Sequence, residues 1–130
     1  MKINVDSKNI YNFAEIMSFI SREYGLVGMD WTDVQSFFDC NSEINFYSFE
    51  GDTPKDACEN LKAILPAKKI KSGLIFFTVN KKAIELTGNE ISSSLTEFVN
   101  CVFDDDGTFI WNVYETEQQE NYKLYVLVAD

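Results

Sequence analysis

The spacing of apolar residues along the chain predicts four helices. The first follows Ser7, which is predicted to be its N-cap. A short second helix covers about residues 31–38, and a fourth covers about residues 89–102. The third is predicted to start with Thr53 as its N-cap and Pro54 at its first helical position, where proline is tolerated.

Four other segments predict strands. Residues 44–49 are rich in aromatic side chains, and residues 73–79 form a continuous apolar run typical of a central strand that is buried on both faces. Residues 108–115 and 122–129 alternate in polarity around the polar segment "TEQQEN" and predict a C-terminal β-hairpin. The opening "KINV" is interpreted as a short extended lead-in. This order predicts an α+β fold with a four-stranded mixed sheet and packed helices.

Length and composition favour one folded domain. The chain has 130 residues, which fits a single domain, and its hydrophobic content of 45% predicts a packed core. Within residues 1–130 we expect the N-terminal helices in 1–40 and the α+β core in 41–130. There is no apolar run of membrane-spanning length and no apolar signal region, so we expect a cytoplasmic protein.

The residue types that most often carry catalysis or bind metal are sparse. The chain has no histidine, which removes Ser-His and Cys-His nucleophiles and the commonest general base near neutral pH. Cys40, Cys58 and Cys101 are widely spaced, so we expect buried or half-buried free thiols and no metal site. The six glycines are scattered and form no phosphate-binding loop, so no cofactor is expected. We therefore expect that the protein is not an enzyme. No spacing of residues supports an enzyme that uses only carboxylates, Tyr, Lys or Cys.

The charge is strongly acidic and unevenly placed. There are 21 acidic and 11 basic residues, for a net charge of −10. Five lysines lie in residues 68–82, whereas residues 83–122 hold nine acids and no base. Such a field repels nucleic acid and anionic membranes and speeds association with basic partners. The expected partner is therefore a basic protein, not nucleic acid or a membrane.

The segment "GLVGMDWTDVQSFF" places Asp30 and Asp33 around Trp31 at the start of a helix. One interpretation is structural, because Asp30 can cap the helix and Asp33 can favour the positive end of its dipole. A second is docking, with Trp31 as an aromatic anchor flanked by acids. A third is a catalytic carboxylate pair that polarises a water.

A second acidic segment is "DDDG". One interpretation is a solvated turn, and the other is an acidic face that binds a basic protein. The acids at 104–106 and those near 115–120 lie at opposite ends of one predicted strand, which argues against one tight cluster. The acids of the candidate face are Asp104, Asp105, Asp106, Glu115, Glu117 and Glu120.

Several local strings together resemble the C-terminal half of FtsZ, the bacterial tubulin-like division GTPase. They are "GLVGMDWTDVQSFF", "TPKDACENLKAIL", "SGLIFFTVN" with "IELTGNEISSSLTEFV", and the closing "DDDGTFIWNVYETEQQENYKLYVLVAD". The resemblance implies the fold of that C-terminal half, without the nucleotide-binding half. It also implies that Asp30 and Asp33 match the two loop acids that reach the nucleotide of an adjacent subunit, although Gly28 replaces the leading Asn of that motif. Without a phosphate site of its own, the chain is not expected to bind or hydrolyse GTP.

Two functions are compatible with these observations. The leading hypothesis is a non-enzymatic inhibitor that neutralises a basic partner such as a toxin or nuclease, as immunity and antitoxin proteins do. The alternative is an FtsZ-like regulator that docks on a division GTPase through Asp30, Trp31 and Asp33 and modulates its assembly.

Overall fold

The computed structural model describes residues 2–22, 31–65, 69–80, 84–116 and 121–129. Within these residues, five strands and four α-helices follow one another, with a single turn of 3-10 helix at Ser7–Asn9. The elements are β1 (Lys2–Asn4), α1 (Ile10–Arg22), α2 (Trp31–Cys40), β2 (Glu43–Gly51), α3 (Pro54–Ile64), β3 (Ile70–Asn80), α4 (Ile84–Val102), β4 (Phe103–Thr116) and β5 (Tyr122–Ala129). The predicted α+β class with a mixed sheet is confirmed, and "KINV" contributes a fifth strand.

The five strands form one sheet in the order β1-β2-β5-β3-β4. Neighbours β1 and β2 are parallel, as are β3 and β4, and β5 runs antiparallel to both β2 and β3. Helices connect the parallel strands, because a strand that returns in the same direction needs a long crossover. Only β5, among the described strands, runs against the other four.

The last two strands follow one another and run in opposite directions, but they do not pair as a hairpin. Strand β3 lies between them, with β4 on one side and β5 on the other. The reason is burial, since residues 73–79 of β3 are buried without interruption and such a strand needs neighbours on both sides. The crossover helix α4 then places β4 on the outer side of β3.

Helices cover both faces of the sheet. On one face, Ile16 of α1 and Phe37 of α2 pack against Phe76 of β3 and its neighbours. On the other face, Leu61 of α3 and Phe98 of α4 belong to a second apolar cluster, which we call the α3–α4 cluster. The sheet is therefore the middle of three layers, and each buried strand supplies side chains to both clusters.

The predicted N-cap of α3 is confirmed, whereas the one predicted for the first helix is wrong. Thr53 caps α3, because its hydroxyl accepts a hydrogen bond from the Asp56 amide at 3.1 Å, and Pro54 is the first helical residue as predicted. Ser7 is not an N-cap but the first residue of the 3-10 turn, for which Asp6 is the N-cap. Of the helices that the structure describes, none combines the length and apolar character that a membrane span requires.

Candidate protein-binding surface

Asp104, Asp105 and Asp106 lie together at the start of β4, and we call them the acidic bulge. They precede the regular part of the strand, in which Thr108 pairs with Ser72 of β3. Asp105 and Asp106 are exposed and Asp104 is half-buried. The structure thus brings three carboxylates to one place at the margin of the sheet.

The bulge is a strand irregularity, so the predicted solvated turn is wrong. The register passes from Ile70 opposite Phe103 to Ser72 opposite Thr108, which leaves Lys71 alone opposite the four residues 104–107. Extra residues in one strand bend it and disrupt the ladder locally. Gly107 is required here, because a Cβ atom at this position would lie 2.8 Å from the Asp104 carbonyl oxygen and 3.1 Å from that of Lys71.

The other acids of the candidate face do not join the bulge. Glu115 is half-buried near the far end of β4. Glu115 follows Asp105 by ten residues, which at about 3.3 Å per residue separates them by about 30 Å along the strand. Glu117 and Glu120 lie outside the described residues. The separation of the acids along one strand agrees with the sequence expectation.

The second candidate group is described only in part. Asp30 lies outside the described residues, and of Trp31 the structure describes the backbone, which begins α2. Asp33 lies in the first turn of α2, where a carboxylate interacts favourably with the helix dipole. Asp33 is half-buried and takes part in a further interaction. The position of Asp33 in the first turn agrees with the structural interpretation, and its role in docking stays a prediction.

An exposed aromatic group adjoins the acidic bulge. Phe109 keeps 37% of its surface exposed and packs against Phe103, with ring centroids 5.4 Å apart. Trp111, two residues further along β4, is half-buried at the margin of the α3–α4 cluster. Both lie on β4, which is last in the strand order and has β3 as its neighbour among the described strands. This end of the molecule thus combines acids, aromatic surface and the margin of the sheet.

A polar network that the sequence analysis missed connects α1 with β5. The Tyr125 hydroxyl donates a hydrogen bond to Glu15 Oε1, and Lys123 Nζ lies 3.6 Å from the same oxygen. Burial, followed by the hydrogen bond to Glu15, raises the pKa of Tyr125 above its usual range, and a hydrogen bond with Thr78 opposes the shift. The tyrosine therefore stays neutral at physiological pH and orients the carboxylate of Glu15.

A groove of about 330 Å³ lies beside this network, between the start of α1 and β2. Three of its polar side chains bind one another: Asn12 Nδ2 donates to Ser48 Oγ, and Ser48 Oγ donates to Asn9 Oδ1, both at 3.1 Å. Because these contacts use the hydrogen-bonding groups within the fold, we assign them a role in fixing α1 on the sheet.

The cysteines are all free thiols. Cys58 is buried between α3 and α4, whereas Cys40 and Cys101 are exposed, so the expectation that all three are at least half-buried is wrong for two of them. Burial, with the nearby carboxylates of Glu59 and Glu97, raises the pKa of Cys58 to about 12. Within the described part of the chain, no three His, Cys, Asp or Glu residues are grouped so that they could hold a metal ion.

The fold is similar to that of solved FtsZ chains from M. jannaschii. One, an empty FtsZ dimer, matches with a TM-score of 0.66 and 14% identity over 98% of this chain and 40% of the other. A second, the W319Y mutant of FtsZ, matches with a TM-score of 0.68 and 13% identity over 98% of this chain and 42% of the other. The chain has the fold of the C-terminal half of FtsZ.

The FtsZ-like fold is the extent of the similarity. This chain spans about two fifths of the FtsZ chains it matches. No family model matches it, and no curated protein matches its sequence. Because one fold supports many functions, the fold by itself assigns no activity to this chain.

Proposed function

We propose that the chain is a non-catalytic, acidic protein-binding module that inhibits a basic partner protein. The observation that carries the proposal is the acidic bulge: three carboxylates, two of them exposed, at the margin of the sheet in a chain of net charge −10. Such a surface accelerates encounter with a basic protein, and neighbouring aromatic groups add affinity once contact is made.

The charge of the bulge makes the binding sensitive to salt. Exposed charges more than a Debye length apart are screened, and this length falls from about 10 Å at 0.1 M to about 3 Å at 1 M ionic strength. The partner is therefore expected to bind at low salt and to elute at high salt. A toxin or nuclease with a basic active-site surface is the class of partner that this chemistry fits.

The test is a pull-down with tagged protein from its own cell lysate, with mass spectrometry of the retained proteins. Wild type is compared with a variant in which each residue of the acidic bulge is changed to Asn. The matched control changes Asp39→Asn, Asp52→Asn and Glu59→Gln, which are also exposed and alter the net charge equally.

We expect a basic protein that wild type and the control retain and the bulge variant loses. Purified partner is then assayed for its own activity with increasing amounts of each variant. Equal retention by bulge variant and control would show that the bulge does not select the partner, and the proposal would be rejected.

A second candidate is an FtsZ-like regulator. It is favoured by the match of 98% of the chain to FtsZ, one example of which is a dimer. In this case the same pull-down would retain FtsZ. Retention would be lost on Asp30→Ala with Asp33→Ala and would survive neutralisation of the acidic bulge.

A further inference from the structure

The outer edge of β4 is a long strand edge to which no other described strand is paired. On its inner side, residues 108–116 pair without interruption with residues 72–80 of β3. In a parallel pair, alternate residues direct their N–H and C=O groups away from the partner strand. An edge of this length is a template on which another extended segment can add as a strand.

The opposite edge of the sheet is covered in part by other segments of the chain. There, β1 pairs with residues 43–45 of β2, and the side chain of Asn60 donates a hydrogen bond at 3.3 Å to the Glu50 carbonyl oxygen. Strand edges are commonly protected by short covering strands, charged residues, prolines or β-bulges. The acidic bulge lies at the start of β4, but the regularly paired residues 108–116 contain no lysine, no proline and no register shift.

The side chains of β4 define which segment fits its edge. The acidic bulge lies at its start, and the exposed ring of Phe109 and the half-buried Trp111 follow. Phe103 supports the ring of Phe109, so this aromatic surface is held in place before a partner arrives. An added strand would meet carboxylates first and aromatic surface next.

A second copy of the chain does not fit this edge. Parallel pairing of two β4 strands would bring one acidic bulge beside the other. Antiparallel pairing over the whole strand would bring each bulge beside Glu115 of the other copy. Like charges directly opposite each other in a sheet are destabilising, and the net charge of −10 adds to the repulsion.

We propose that the outer edge of β4 binds an extended basic segment of a partner protein as an additional strand. Lysine or arginine side chains of that segment lie beside the acidic bulge, and its apolar side chains lie beside Phe109 and Trp111. The inference rests on the proposed function, since it specifies how the acidic surface holds its basic partner. Backbone hydrogen bonds supply the affinity. The acidic bulge at one end and the aromatic side chains further along β4 set the direction of the segment.

The test uses the full chain and a synthetic peptide with three lysines, one glycine and then alternating valine and threonine over six positions. Hydrogen exchange of backbone amides is followed in residues 108–111 with and without peptide, and affinity is measured by titration calorimetry. We expect exchange in this segment to slow by about tenfold or more, because pairing protects amides that otherwise contact water. Changing the acidic bulge to Asn should weaken peptide binding by about tenfold.

Two control peptides separate backbone pairing from charge attraction. Methylation of the amide nitrogens in the valine–threonine run removes the donors of the peptide, so this peptide should not slow exchange in residues 108–111. Replacement of the three lysines by glutamates should abolish binding. Equal protection by the methylated peptide, or no protection at up to about 1 mM peptide, would overturn the added-strand proposal.

The two proposals can fail separately. If the lysate yields a basic protein through the acidic bulge but this protein does not slow exchange in residues 108–111, the inhibitor proposal stands and the added-strand proposal is wrong. If the peptide protects the edge but no basic protein is retained through the bulge, the edge binds strands and the inhibitor proposal is wrong.

Discussion

The three cysteine side chains are chemically distinct because their surroundings differ. Cys58 is buried, and its pKa of about 12 means that almost none of it is thiolate at pH 8. Cys40 and Cys101 are exposed, at the end of α2 and near the end of α4. Since the thiolate is the reactive form, the fold protects one thiol and leaves two accessible.

We therefore predict that an alkylating reagent at pH 8 modifies Cys40 and Cys101 rapidly in the native protein and Cys58 only after unfolding. Mass spectrometry of quenched samples counts the labels and locates them by peptide mapping. The variant with Cys40→Ser and Cys101→Ser should take up no label until denaturant is added. Rapid labelling of Cys58 in this variant would contradict its burial between α3 and α4.

Sequence reasoning at this scale finds local partners and misses distant ones. The Thr53 cap is predictable because the amide that it accepts from is three residues away. The contact of Glu15 with Tyr125 joins residues 110 positions apart, and the local sequence around either residue does not indicate the other. The exposure of Cys40 and Cys101 was missed for the same reason, since burial depends on which elements the fold places nearby.

At the scale of elements, α3 is the helix whose start is best defined. Thr53 supplies a side-chain acceptor, Pro54 fixes the first helical residue, and Asp56 adds a negative charge in the first turn. Leu61 of the same helix is buried in the α3–α4 cluster. Loss of the cap is thus expected to affect global stability and not only the end of the helix.

Thr53→Ala is predicted to lower the free energy of unfolding by about 1 kcal/mol, because one amide of the first turn loses its acceptor. Thr53→Ser keeps the hydroxyl and should remain within about 0.5 kcal/mol of wild type. Urea denaturation followed by circular dichroism measures both. Equal losses for the two variants would indicate that the methyl group of Thr53, and not its hydroxyl, is responsible.

Elements with a strong local period were predictable, whereas their pairing was not. The buried run 73–79 was correctly placed at a central position. The segment 104–107 was predicted as a turn because its composition is that of a turn, but its ends are held by the pairs Ile70–Phe103 and Ser72–Thr108. Likewise, nothing in the polar link before β5 indicates that β3 separates the last two strands.

For the whole molecule, the central fact is that helices stabilise both faces of one sheet. Helix α1 contributes Ile16, which is completely buried, to one cluster, and α3 contributes Leu61, also completely buried, to the other. Strand β1, from the first residues of the chain, belongs to the same sheet. Residues 2–22 are thus part of the folded core that the later strands build.

We predict that Ile16→Ala lowers the free energy of unfolding by about 2–5 kcal/mol, because it leaves a cavity against the sheet. Ile10→Ala, on the same helix but 58% exposed, should change it by no more than about 0.5 kcal/mol. Both are measured by chemical denaturation with fluorescence and circular dichroism. The two probes are expected to report coincident transitions. Equally small effects of Ile16→Ala and Ile10→Ala on the free energy of unfolding would contradict the burial of α1 in the core.

The position of β5 has a consequence for how the protein is made. Strand β5 is the last of the five to leave the ribosome, yet it lies between β2 and β3 and joins the β1–β2 pair to the β3–β4 pair. Before β5 docks, the β1–β2 pair and the β3–β4 pair lack the strand that joins them, and the facing margins of β2 and β3 have no strand between them. The five-stranded sheet is therefore completed by insertion of a strand at its centre and not by addition of a strand at its margin.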